Sequence, residues 1–101
     1  MNLISKLKGK KNLNVIYENN NIHLNNLLQI INHNTVILKK LGIKKKDTIA
    51  IVLENGPEFI TSFLSCINSS IAAPLNPNYT SVEFNFYFKD LKPKILITNL
   101  L

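Results

Sequence analysis

The chain has 101 residues, a net charge of +6, a pI near 9.6 and one cysteine. A chain of this length buries about 65% of its unfolded surface and has room for one small core, not two. All 12 basic residues are lysines and none is arginine. Reading of guanine or phosphate leans on the bidentate arginine fork, so the charge does not argue for a nucleic-acid partner and none is expected. An excess of Asn, Lys and Ile over Ala and Arg has a simpler source in an AT-rich coding bias. The lone Cys66 excludes an internal disulfide framework and points to a reducing, cytoplasmic setting. No stretch approaches the roughly 18 to 20 apolar residues that a membrane span needs.

Residues 1–14 carry Lys6, Lys8, Lys10 and Lys11 beside Leu3, Ile4 and Leu7. With no Arg and only Ser5, the segment reads as a frayed basic terminus rather than a targeting peptide. The domain is expected over residues 15–101. Val15, Ile16 and Tyr17, a polar turn over Glu18–Asn21, then Ile22 and Leu24 have the pattern of a hairpin, although coding bias alone could produce the Asn run. From Asn25 to Leu41, the residues Leu27, Leu28, Ile31, Thr35, Leu38 and Leu41 recur at spacings of three and four, which predicts a helix. Lys39 and Lys40 suit its negative end, and Gly42 is placed to stop it.

Thr48–Leu53 is a short, nearly continuous apolar run of the kind found in strands buried on both faces, hence in parallel sheets. Asn55 or Gly56 can cap a helix that has Pro57 in its first turn and an apolar repeat of Phe59, Ile60, Phe63, Leu64, Ile67 and Ile71. Ile71–Leu75 gives a second strand, which Asn76-Pro77-Asn78 breaks into a loop. Thr80 and Glu83 have capping-box spacing, and Phe84, Tyr87, Phe88 and Leu91 form the inward face of a helix that Pro93 ends. Lys94–Thr98 makes a third strand. This order predicts an α/β fold: a hairpin and helix, then β-α-β-α-β with right-handed crossovers and a parallel sheet.

Few side chains invite chemistry. The turn after the first strand, Glu54-Asn55-Gly56-Pro57, has one Gly where a dinucleotide fingerprint has three. Asn55 and Asn76 sit where ligands gather, at the carboxyl ends of parallel strands. Asn76, Pro77 and Tyr79 are read as architectural, Asp90 and Lys92 as a solvated helix end, and Lys44–Lys46 as a solvated turn. His23 and His33 lack partners at ligand spacing, so no metal site is expected. Cys66, inside a helix with no histidine near it in sequence, reads as a small hydrophobe.

The run from Gly42-Ile43-Lys44-Lys45-Lys46-Asp47 through TIAIVLENGPEFITSFLSCINSSIAAPLNPNYTSVEFNFYFKDLKPKILIT resembles the N-terminal subdomain of the AMP-forming acyl-CoA synthetases. The resemblance extends from about Val15 onward. It is carried by Asn55 with Glu58-Phe59, by the Pro74-Leu75-Asn76-Pro77 loop with Tyr79, and by Glu83-Phe84, Asp90 and the Lys94–Thr98 strand. Within that superfamily the chain is most similar to oxalate and 4-coumarate type CoA ligases. Lys46 replaces a Gly usual before Asp47, and Ser69 or Ser70 another before the second strand. The first replacement is expected to cost about 1 kcal/mol if the turn needs a positive φ.

The resemblance implies a parent enzyme that uses ATP, Mg²⁺ and CoA to convert a small carboxylic acid first to an acyl-adenylate and then to a thioester. It also implies that the catalytic, cofactor-binding and metal-binding residues lie in sequence beyond this chain, so none is assigned here: catalytic none, cofactor-binding none, metal none. The expected role is an inactive N-terminal fragment of an acid–CoA ligase; the alternative is a standalone degenerate α/β module that binds a partner. An open sheet edge and uncovered helix faces would make the isolated chain marginally stable and self-associating. Relatives are cytosolic or peroxisomal, and the ending Asn99-Leu100-Leu101 carries no peroxisomal address.

Overall fold

The structure is a computed structural model that describes residues 14–17 and 20–99. The basic stretch 1–13 and the tip of the expected hairpin, residues 18–19, lie outside the described residues. Strands β1 (Asn14–Tyr17) and β2 (Asn20–His23) pair antiparallel, with Tyr17 opposite Asn20. Asn20 and Asn21 therefore belong to the ladder and not to the turn, since two residues suffice to close a hairpin.

Helix α1 (Leu24–Lys40) begins at Leu24, expected in the hairpin, because His23 caps it. The Asn25 amide donates to His23 Nδ1 at 3.1 Å. The other end stops as the sequence predicts. Gly42 takes φ 88°, its amide donates to the Lys39 carbonyl at 3.0 Å, and the Ile43 amide donates to the Leu38 carbonyl at 3.1 Å. This is a Schellman closure, and Ile43 and Leu38 share one apolar cluster across it. Leu41, expected on the buried stripe, is 61% exposed because the helix ends before its turn is completed.

The remaining elements are β3 (Thr48–Val52), α2 (Pro57–Ser69), β4 (Ile71–Pro74), α3 (Ser81–Leu91) and β5 (Ile95–Thr98). The three strands form a parallel sheet in the order β4-β3-β5. The step from β3 to β4 moves one way across the sheet, and the step from β4 to β5 moves back past β3. With both crossovers right-handed, α2 and α3 must cover opposite faces. Packing agrees: Ile49, Ile51 and Leu53 meet Leu38, Cys66, Phe59 and Phe63 on the α1/α2 face. Ala50 and Val52 meet Phe84, Tyr87, Phe88 and Leu91 on the α3 face, where the small Ala50 admits the rings.

Helix α2 departs from the expected pattern. Its fully buried positions are Ser65, Cys66 and Ser69, while Phe59, Ile60, Phe63 and Leu64 are half-buried on the flanks. Serine can be buried here because its hydroxyl returns to the helix: Ser65 Oγ donates to the Thr61 carbonyl at 2.6 Å and Ser69 Oγ to the Ser65 carbonyl at 3.1 Å. Ile60 and Leu64 then reach the second cluster, formed by Leu24, Leu27, Leu28 and Ile31 of α1. Ile71, read as part of the helical repeat as well as of the next strand, opens β4 and is exposed.

Helix α3 carries the expected capping box, with the Glu83 amide donating to Thr80 Oγ1 at 3.2 Å and the Thr80 amide to Glu83 Oε1 at 3.1 Å. It ends at Lys92, the one described non-glycine residue with positive φ (48°), immediately before Pro93. Lys46 does not take positive φ, so the cost expected for losing a glycine there does not arise. Ser70, at φ −162°, is extended and needs no glycine either.

Candidate functional site at the carboxyl edge of the sheet

The connections leaving β3 and β4 depart to opposite faces, so a crevice opens between the carboxyl ends of these two neighbouring strands. In open parallel sheets this switch point is the usual place for a ligand. A cavity of about 380 Å³ lies there, bounded by Glu54, Asn55, Phe59, Asn76 and Asn78 among others. The structure thus brings together the two asparagines, Asn55 and Asn76, that the sequence placed at strand ends.

The loop on the β4 side is built by its own hydrogen bonds. The Asn78 amide donates to Asn76 Oδ1 at 2.9 Å, and the Tyr79 amide donates to the Asn76 carbonyl at 3.1 Å. Tyr79 stacks on Tyr87, with ring centroids 5.1 Å apart, and meets Phe84 edge-on at 5.7 Å. A side-chain hydrogen bond with Tyr87 raises the Tyr79 phenol above its ordinary value, with desolvation and the nearby negative charge adding to it. Tyr79 therefore pins the loop onto α3 as a neutral ring, the architectural role expected of it.

Among the described residues, Glu54 is the one ionisable side chain lining the crevice. A lone carboxylate opposes a phosphate instead of neutralising it, and no Lys or Arg among the described residues lines the cavity to offset it. The described residues around this crevice therefore do not fit the phosphates of a nucleotide. Among the described residues there is also no group of three or more His, Cys, Asp or Glu that could hold a metal, and no helix long and apolar enough to cross a membrane.

Sequence reasoning missed a polar clamp at the amino edge of the sheet. Asp47 Oδ2 accepts from the Lys44 amide at 2.8 Å and lies 3.5 Å from Lys94 Nζ, which also donates to the Gly42 carbonyl at 3.3 Å. The Ile71 amide donates to the Asp47 carbonyl and the Lys94 amide to the Thr48 carbonyl, both at 2.8 Å, so one turn ties together the starts of all three parallel strands. The short-range half of this clamp was legible in the Lys44-to-Asp47 spacing; the partner 47 residues away was not.

The Lys44 amide, and then Lys94, hold the Asp47 carboxyl below its ordinary value of 3.8. A carboxyl lowered by folding contributes stability above its unfolded value, and this is lost as pH falls through the folded one. Acid titration of wild type and Asp47→Asn should show a steeper loss for wild type below about pH 4, since an amide does not titrate. Identical acid profiles would sink this assignment.

A family model for AMP-binding enzymes matches residues 8–100. The chain belongs to the AMP-binding enzyme family. It is 53% identical over 56 residues to an oxalate–CoA ligase of Saccharomyces cerevisiae, covering 54% of this chain and 10% of that protein. It is 45% identical over 62 residues to a 4-coumarate–CoA ligase of Vanilla planifolia, covering 60% of this chain and 11% of that protein. In fold it is similar to the N-terminal subdomain of Klebsiella oxytoca NpsA in complex with 3-hydroxyanthranilyl-AMSN, with a TM-score of 0.84 and 17% identity over 97% of this chain and 26% of that one. This AMP-binding segment thus spans about a tenth of the curated relatives it matches. Its α/β fold is that of the N-terminal part of adenylate-forming enzymes.

Proposed function

We propose that the chain is the N-terminal scaffold segment of an ATP-dependent, AMP-forming acid–CoA ligase, which joins a small carboxylic acid to CoA through an acyl-adenylate. The observation that carries this reading is the family match over residues 8–100 together with CoA-ligase relatives. The site geometry supports a scaffold role: among the described residues, the switch-point crevice is lined by one carboxylate, Glu54, and no cation. Asn76 and Tyr79 shape the loop at its edge. ATP, Mg²⁺ and CoA are accordingly partners of the whole enzyme, held by residues outside this chain. A cytoplasmic or peroxisomal location suits the free, buried Cys66 thiol.

The test is a graft. Residues 8–99 replace the corresponding segment of the yeast oxalate–CoA ligase, and oxalate-dependent release of pyrophosphate is measured. We expect kcat within about tenfold of the parent, a loss of under about 1.4 kcal/mol in the transition state, and no turnover by the 101-residue chain alone. Pyrophosphate release by the chain alone, or a folded but inactive graft, would overturn the proposal.

A further inference from the structure

Charge is divided between the two ends of the parallel sheet. Two of the connections into the strands bring lysine to the amino edge: Lys39 and Lys40 close α1, Lys44–Lys46 fill the turn into β3, and Lys89, Lys92 and Lys94 run from the last turn of α3 into β5. All of them are exposed. Among the described residues, the acids at this end are Asp47 and Asp90, and Asp47 is already engaged by the Lys44 amide and by Lys94. The described glutamates, Glu54, Glu58 and Glu83, lie at the carboxyl edge, where α2 and α3 begin. Helix dipoles account for cations in the last turns of α1 and α3. They do not account for Lys44–Lys46, which follow the Schellman closure in a turn. Apolar side chains stand exposed at the same edge. Leu41, 61% exposed, directly precedes the Gly42 carbonyl that accepts from Lys94, and Ile71, 51% exposed, donates its amide to the Asp47 carbonyl.

We infer that this lysine-rich amino edge is a docking surface for an anionic lipid bilayer, on which the chain sits peripherally with Leu41 and Ile71 reaching into the headgroup region. The field of such a bilayer attracts each nearby lysine and asks for no fixed partner. That suits long, hydrated, exposed side chains with no arginine among them. A protein partner fits less well, because lysine is depleted from the desolvated centre of interfaces. Nucleic acid also fits less well: residues 39–47 and 89–95 contain no aromatic side chain on which a base could stack. Leu41 and Ile71 gain burial where the anionic surface has an apolar layer beneath it, which a bilayer provides and a soluble polyanion does not. The parallel strands run away from this edge, so docking leaves the crevice at Glu54 and Asn76 turned toward water.

The test is flotation of the 101-residue chain with phosphatidylcholine vesicles, with and without phosphatidylserine, followed by amide exchange of the bound chain. Binding is expected only with phosphatidylserine. It should fall at least about tenfold as salt rises from about 0.15 M to about 1 M, since the Debye length shrinks from about 8 Å to about 3 Å. Amides of residues 41–46 should exchange at least about tenfold more slowly on the vesicles, while those of 54–58 and 76–78 stay unchanged. Combining Lys44→Gln, Lys45→Gln and Lys46→Gln, at exposed turn positions that the fold tolerates, should lower partitioning at least about 30-fold. Leu41→Ser with Ile71→Ser should lower it at least about fivefold. Lys6→Gln, Lys8→Gln and Lys10→Gln together remove as many charges from the segment that joins the fold at Asn14, opposite His23 at the far end of α1. This variant should lose less than the turn variant, which separates the patch from net charge alone. Duplex DNA or polyglutamate at equal charge concentration should leave most of the chain on the vesicles. Equal binding to phosphatidylcholine alone, undiminished binding of the turn variant or of Leu41→Ser with Ile71→Ser, protection at 54–58 in place of 41–46, a larger loss from the Lys6, Lys8 and Lys10 changes, or displacement by either soluble polyanion would each overturn the inference.

Discussion

Replacing Ile51 by alanine is expected to remove at least about two-fifths of the stability of this chain. Ile51 is fully buried in the central strand and belongs to the cluster where α1 and α2 meet the sheet. Truncating such a side chain costs about 2–5 kcal/mol, because the transfer loss adds to a cavity that a sheet held on both sides cannot collapse. At the lower bound of about 0.05 kcal/mol per residue, a chain of this size has roughly 5 kcal/mol in total. A small segment with an uncovered edge belongs near that bound. Urea titration followed by far-ultraviolet circular dichroism should place the Ile51→Ala midpoint at no more than about 60% of that of wild type. Ile30→Ala, at a position 48% exposed, should stay within about 0.5 kcal/mol. Equal midpoints for Ile51→Ala and wild type would show that the sheet is not the core.

Position 51 also shows what the sequence could and could not convey. The nearly continuous apolar run Thr48–Leu53 identified a strand covered on both faces, and Ile49, Ala50, Ile51 and Val52 are all buried. Local signals of this kind were legible: the glycine stop at Gly42, the capping box at Thr80 and Glu83, the breaks at Asn76 and Pro93. Each depends on contacts within a few residues. The strand order was not legible, since β4-β3-β5 is fixed by crossover handedness and by which faces are apolar, neither of which appears in a strand's own residues. For the same reason the crevice between β3 and β4 could be placed only as two separate strand ends. In α2 the rule that large side chains point inward failed, because Ser65 and Ser69 satisfy their hydroxyls on their own helix and can sit where the packing is tightest. His23 was weighed as a metal ligand, yet its ring caps α1. Histidine is an uncommon cap, and ordinary cap preferences do not reveal it.

Cys66 should make the chain unusually sensitive to alkali. Its side chain is fully buried against the sheet, and burial pushes the thiol up to about 11 from an ordinary value of 9.0. The unfolded chain exposes the thiol, which then titrates near its ordinary value. The folded state therefore holds a proton that the unfolded state releases between these two values. The contribution is complete below about pH 9 and disappears as pH rises through about 11, amounting to some 2–3 kcal/mol at about 1.4 kcal/mol for each unit of difference. Lysines and the raised Tyr79 phenol titrate in the same range, so the comparison must be made between variants. Urea midpoints of wild type and Cys66→Ala should run parallel below pH 9, with the variant lower by about 1 kcal/mol for its small cavity. They should converge and then cross as the pH approaches 11, because alanine has no proton to lose. The same proton argues for the scaffold role. A nucleophilic cysteine needs an accessible thiolate, whereas this one is neutral at physiological pH and closed off by Ile49, Ile51 and Phe63. Disulfide-exchange labelling at pH 8 should accordingly proceed only at the rate at which the chain opens, and should accelerate in Ile51→Ala. Rapid labelling of the folded wild type would show that the thiol is accessible and that the alkaline prediction rests on the wrong environment.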